Sequence, residues 1–226
     1  MVTPHPPSFL TGPASVLLTN ATGFSARVEM QTESSLEINR TSSGQLLGRG
    51  TKLLYAPESD ETTDTHRMPG GYSFIWDVAE SRGYVLSEAL QGYAPVSLGL
   101  RVTNVAIELS QAAAQRFSGH PCESAKATIR MSNGSTAGFE LLRAIDLNGL
   151  PVRIGSATNA DVFTLNLSKV RLEQPAVDIF SPPEGFTKYA TPESMADELA
   201  VRQSSLKRKN SDPMQPIPDL ERDRRY

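Results

Sequence analysis

GYSFIWDVAESRGYVLSEALQGYAPV, residues 71–96, carries two apolar runs separated by a short polar break. Tyr72, Phe74, Trp76 and Val78 alternate with Ser73, Asp77 and the small Ala79, and a period of two sets one group of side chains on one face of a pleated strand. Glu80-Ser81-Arg82-Gly83 follows as a polar turn, closed by the residue type that best tolerates positive φ. Tyr84-Val85-Leu86 resumes as the return strand. The stretch contains the only Trp and three of the six Tyr of the chain, so it presents an aromatic face that something must cover. It predicts the central hairpin of a β-rich domain.

Working outward, the cleanest alternation lies at 24–32, where Phe24, Ala26, Val28 and Met30 point one way and Ser25, Arg27, Glu29 and Gln31 the other. One dry and one wet face mark an antiparallel sheet covered on a single side. Residues 46–55 read as a strand in which Gly48 and Gly50 mark a bulge or a sharp curve, and 57–71 as a polar loop. On the other side of the hairpin, Val105, Ile107 and Leu109 share a parity, and 112–114 suit a helix, a strand end or a loop. Ala125, Ala127, Ile129 and Met131 follow, ending at Asn133-Gly134, a type I′ hairpin signal. Strands at 139–145, 150–154 and 163–172 complete the series, with Asn148-Gly149 as a further turn. Strands in succession joined by turn residues predict antiparallel connectivity, not βαβ units.

The ends differ in character. Pro4, Pro6, Pro7 and Pro13 block helix and ladder alike, so residues 1–13 read as a loose arm, and 15–18 as a short helix rather than a strand. The arm lacks the basic start and apolar run of a secretory leader, which leaves open a cytoplasmic protein or one whose leader has been removed. Past Pro175, Pro182 and Pro183, Thr191 is set to cap a helix with Pro192 in its first position and Met195, Leu199 and Val201 along its apolar edge. The helix is expected over 192–203. The mixed-charge, proline-containing end after it is expected to be disordered.

Of the 226 residues, 38% are hydrophobic and 21% charged, with a formal net charge of −3. A nucleic-acid partner is not expected, because it would call for a basic face. No apolar run approaches the roughly 18–20 residues that span a bilayer, so a transmembrane chain is not expected. The single Cys excludes an internal disulfide.

The order of pieces resembles a known fold family. A phenylalanine-led strand (GFSARVEM, 23–30) precedes Ser43-Gly44-Gln45-Leu46, then an aromatic hairpin and a long antiparallel run. This is similar to the LolA/LolB-like superfamily of bacterial lipoprotein carriers, and most to its uncharacterised secreted relatives. Their marks are GYVLSEALQGYAP (83–95), Gly119-His120-Pro121-Cys122, LNGLPV (147–152) and FSPPEGFTKYATPESMADEL (180–199). The carriers' arginine beside aromatics, which locks helical lids, has no counterpart in the acidic stretch 58–68. The resemblance implies a mainly β fold: a single strongly curved antiparallel sheet, an open half-barrel around an apolar cavity. The half-barrel domain is expected over 14–203, between the flexible arm at 1–13 and a disordered tail at 204–226. It also implies a non-enzymatic role in the periplasm or cell envelope, binding a lipid, an acylated ligand or an envelope protein partner, with no cofactor.

The aromatic and aliphatic stripe supplies the candidate ligand residues: Phe24, Ala26, Val28 and Met30 with Tyr72, Phe74, Trp76 and Tyr84. The stripe reads either as core under a helix or as the lining of a cavity, which a long sheet with little helix has trouble covering. Other constellations have plainer readings. His120 and Cys122 lack the further ligands that a metal site needs, and a free Cys commonly acts as a small hydrophobe. Asp60, Glu61 and Asp64 lack the calcium-loop pattern. Lys207-Arg208-Lys209 and Arg222, Arg224 and Arg225 are interleaved with Asp212, Asp219, Glu221 and Asp223, which blunt their field. The Asn-x-Ser/Thr triplets at Asn20, Asn39, Asn133 and Asn166 are common by chance and are assigned no glycans. No acid/base or nucleophile set emerges, so catalysis is not expected.

Overall fold

The alternating runs pair as the sequence predicts. The computed structural model describes residues 3–34, 37–58, 71–99, 101–109, 115–156 and 162–211. Its long first strand, β1 (Asn20–Ser34), lies near the middle of one large sheet. On one side the chain meanders outward through β2 (Glu37–Gly50), β3 (Lys52–Pro57), β4 (Tyr72–Asp77), β5 (Arg82–Ser87) and β6 (Gly92–Ser97). It then crosses to the far edge as β7 (Val102–Leu109) and β8 (Gln115–Phe117), both paired with β9 (His120–Met131). From there β10 (Thr136–Ala144), β11 (Leu150–Ser156) and β12 (Val162–Arg171) return until β12 lies against β1. Neighbours are antiparallel except for β13 (Thr187–Lys188), which adds two parallel residues to the β6 edge.

Thirteen strands are described, and β13 and β7, at opposite ends of the order, do not pair, so the sheet stays open. A sheet of this width curls. Its inward parity gathers Phe24, Leu46, Phe74, Ile129, Ile154 and Leu165 into one apolar cluster. This is the open half-barrel that the LolA-like resemblance implied, with a C-terminal helix, α2 (Pro192–Ser211). The reverse face is covered only locally, where Ile75 and Leu86 meet Phe180 from the proline-rich segment after β12.

Several expectations need correction. Within the expected arm at 1–13, the described residues 3–13 are not loose: Ser8–Thr11 forms a helical turn, α1, and Phe9 and Leu10 have 0% exposure. Prolines exclude them from a ladder but not from packing. Residues 13–18 form a 3₁₀ helix, so the short helix is present there, bringing Leu17 and Leu18 into the same core. Residues 46–55 are not one bulged strand but two, since Arg49 pairs with Lys52 across a turn at Gly50-Thr51. In the central hairpin, Asp77 pairs with Arg82, and positive φ falls on Ser81 (49°) rather than on Gly83. At 131–135, Met131 N–H donates to the Ser135 carbonyl and Gly134 N–H to the Met131 carbonyl, with positive φ at Gly134 and not at Asn133. That is a three-residue loop with a bulge, not a type I′ turn. The two-residue turn with both φ positive is at Ser118-Gly119, between β8 and β9.

Helix α2 starts as expected. Ser194 N–H donates to Thr191 Oγ1 and Thr191 N–H to Ser194 Oγ, each at 3.2 Å. Met195 and Leu199 are buried, but Val201 is 60% exposed and outside the apolar edge. The helix continues to Ser211 rather than stopping at 203, so the first residues of the expected disordered tail are helical. The readings for 59–70 and 112–114 lie outside the described residues.

Candidate functional site

The predicted ligand residues separate into two groups. Phe24, Ala26, Val28, Tyr72, Phe74 and Trp76 share the concave face and are at most 4% exposed, with Met30 half-buried beside them. The chain itself covers them. Phe9 meets Tyr55 edge-on at 5.2 Å, and Tyr55 stacks on Phe74 at 6.4 Å. Met195 and Leu199 of α2 belong to the same cluster. In this state these residues are packed core. Tyr84 does not join them: it pairs with Ile75 across the hairpin, packs edge-on with Tyr93 at 5.6 Å, and lies on the face that Phe180 covers.

The concave face is open at its other end. On β7, Val105, Ile107 and Leu109 pair with Ile129, Ala127 and Ala125 of β9, so the two rows share a face. The β9 row is buried, whereas Ile107 is 44% and Leu109 57% exposed. Val16 and Leu17 of the 3₁₀ helix lie near this row. Between them lies a cavity of 260 Å³, lined by Val105 and Ile107 from β7, Leu141 from β10 and Leu150 from β11. Leu17 and Leu150 also belong to the core cluster, so the cavity adjoins the packed interior.

One lining residue carries a charge, Arg143. The pairing of β10 with β9 runs without a shift from Thr136 to Ala144, so Arg143 shares the inward parity of Phe139 and Leu141, and Glu123 that of Ala125. Arg143 Nη1 donates to Glu123 Oε1 at 3.2 Å and Nε to the Gly149 carbonyl at 3.0 Å. Its side chain is 25% exposed. The sequence reading passed over this residue, although a charge at an inward position of the FELLRA run (139–144) is a visible break in the pattern.

The remaining constellations are structural in arrangement. Cys122 is 0% exposed, its thiol donates to the carbonyl of His120, and burial pushes it above its ordinary range. The His120 ring turns instead to Asp146, with Nδ1 2.9 Å from Oδ2. Among the described residues no three His, Cys, Asp or Glu side chains group to hold a metal. Asp60, Glu61 and Asp64 lie outside the described residues, as do Arg222, Arg224 and Arg225, while 207–209 belong to the last turns of α2. On the reverse face a shallow cleft of 450 Å³ is crossed by Arg27, whose Nε and Nη2 donate to Glu58 Oε2 at 3.1 and 2.8 Å. That bond holds the exposed Glu58 carboxyl below the usual range.

No family model and no curated protein sequence matches the chain. By structure it is similar to a LolA superfamily protein from Nitrosomonas europaea, with a TM-score of 0.47 and 13% identity over 76% of this chain and 96% of that one. It is similar to PNGF-II at a TM-score of 0.40 and 10% identity, over 78% of this chain but only 33% of PNGF-II. It is also similar to the lipoprotein LppX of Mycobacterium tuberculosis, at 0.37 and 16%, over 68% and 89% of the two chains. Likenesses of this degree support no inference about ligands.

Proposed function

We propose that the chain binds a lipid or other apolar ligand in the bacterial cell envelope, without catalysing a reaction on it. The observation that carries this reading is the uncovered end of the concave face. Ile107 and Leu109 are exposed beside the buried row of β9, and the cavity that Ile107 lines adjoins the core at Leu17 and Leu150. An exposed apolar surface continuous with a cavity is where an apolar chain gains most, at about 0.8 kcal/mol per buried CH₂. The envelope location is supported by the sequence's resemblance to the LolA/LolB-like superfamily. The buried set Phe24, Val28, Tyr72, Phe74 and Trp76 is then the floor that a longer ligand reaches once the covering segment yields.

Native mass spectrometry of protein purified from its source tests the reading, with added mass of lipid as the expected result. Titration with a fatty acid should also shift the emission of Trp76, the only indole, and Trp76→Ala should remove that response. Protein that carries no added mass and binds no apolar probe overturns the proposal.

A second reading has its own observation. The β6 edge is capped by β13, whereas β7 is an eight-residue edge with no strand beyond it among the described residues. Such an edge suits strand addition by an envelope protein partner. Under that reading Thr103→Pro in β7 should abolish partner binding and leave lipid binding intact.

A further inference from the structure

We infer that Arg143 is the head-group anchor of this site, and that its ligand is an anionic amphiphile: one apolar chain ending in a carboxylate or phosphate. The inference rests on the lipid-binding reading above and names the ligand class. A site for a purely apolar molecule has no use for a guanidinium, and a solvated arginine has no use for an inward position. Arg143 nonetheless lines a cavity together with Val105, Ile107, Leu141 and Leu150.

Its orientation is set on one side only. Nε is held by the Gly149 carbonyl and Nη1 by Glu123. Among the described residues, Nη2 has no hydrogen-bond partner. A guanidinium presents five N–H donors in a rigid plane that matches a carboxylate or phosphate edge. With two of its nitrogens pinned, the fork is fixed before a ligand arrives and Nη2 remains for an anion. The turn that supports it is shaped for the same end. Asn148 and Gly149 both have positive φ (55° and 73°), and a Cβ on Gly149 would collide with Nη2 of Arg143. Glycine at 149 thus leaves room for the guanidinium as well as making the turn. Glu123 balances the charge when the site is empty, so an anionic head competes with it rather than meeting a bare cation.

The proposal predicts discrimination by the head group. The probe is 11-(dansylamino)undecanoic acid, and its methyl ester has the same chain without the charge. Wild-type protein should bind the acid about tenfold more tightly than the ester, the size expected for one added charge-assisted hydrogen bond. Arg143→Gln should erase that difference by weakening the acid and leaving the ester unchanged. Arg143→Lys, which keeps the charge but not the fork, should restore part of it. Dodecanoate and dodecyl phosphate as competitors identify the source of the head, whichever displaces the probe at lower concentration. Equal binding of acid and ester by the wild type overturns the anchor while leaving lipid binding in place. That comparison needs no variant to fold. If neither probe binds, the lipid reading fails first and the anchor with it.

Discussion

At the scale of single residues, two positions in the aromatic hairpin are held by what surrounds them. Gly83 faces Trp76 across the β4–β5 ladder, and a Cβ there would collide with the Ile75 carbonyl and stand 2.8 Å from Trp76 Cε3. The glycine serves close approach, not the turn. Gly83→Ala is therefore expected to destabilise the protein by about 1–3 kcal/mol, the usual cost of overpacking. Urea unfolding followed by Trp76 emission reads this as a lower midpoint at unchanged slope, and an unchanged midpoint would contradict the packing described. Tyr55 is 3% exposed beneath Phe9, and burial pushes its phenol up to about 12 from an ordinary 10.0. The folded state thus holds this proton more tightly than the unfolded state does. The associated stability is fully present below the unfolded value and is lost as pH rises through the folded one. Stability should fall between about pH 10 and 12 as the Tyr55 phenol loses its proton. Urea unfolding across this range, compared with Tyr55→Phe, checks whether Tyr55 accounts for the loss.

At the scale of elements, the covering pieces carry stability that the sheet alone does not. Phe180, 3% exposed, is the centre of the small core on the reverse face. Phe180→Ala should cost about 3–5 kcal/mol, as for other buried aromatics. Thr191→Ala removes the reciprocal cap of α2 and should cost about 1 kcal/mol, while Val201→Ala, on an exposed face, should be close to neutral. Thermal melts rank the three, and a neutral Phe180→Ala would mean that the proline-rich segment is not seated on the sheet. These elements differed in how plainly the sequence announced them. β1, β9, β10 and β12 were legible because one of their faces is wet, and the resulting alternation is the signal that a pleat writes. The hairpin at Gly50-Thr51 was not, because Gly48 and Gly50 resemble a bulge until the partner strand is known. The turn at 8–11 was not legible either, because a four-residue helix is too short for a period, and although the short helix at 15–18 was, the burial of both depends on the face they meet. The candidate site was legible in part. The parity of Val105, Ile107 and Leu109 is in the sequence, but their exposure depends on where the covering segment ends.

At the scale of the whole molecule, the concave face is closed at one end by a segment attached in an unusual way. Among the described residues, every hydrogen bond of 7–19 is internal: Leu10 and Thr11 N–H donate to the Pro7 carbonyl, Gly12 to Ser8, Ser15 to Gly12, and Thr19 to Val16. None joins the segment to a strand, so it is held by apolar burial alone. Phe9, Leu10, Leu17 and Leu18 supply that burial, each worth roughly 1.5–3 kcal/mol. Together they match a large share of the 5–15 kcal/mol by which a domain is typically stable. Removing residues 1–18 should thus leave the ladders and the far-ultraviolet circular dichroism in place. It should also expose the aromatic floor, increase binding of the dye ANS and lower the melting temperature by more than about 10 °C. Truncation after Ser205 removes no described core residue and should change the melting temperature by less than about 2 °C. Phe9→Ala gives the same test without a deletion, at about 3–5 kcal/mol. Equal melting temperatures for the two truncations would mean that the sheet does not depend on this cover and that the core is closed by the strands themselves.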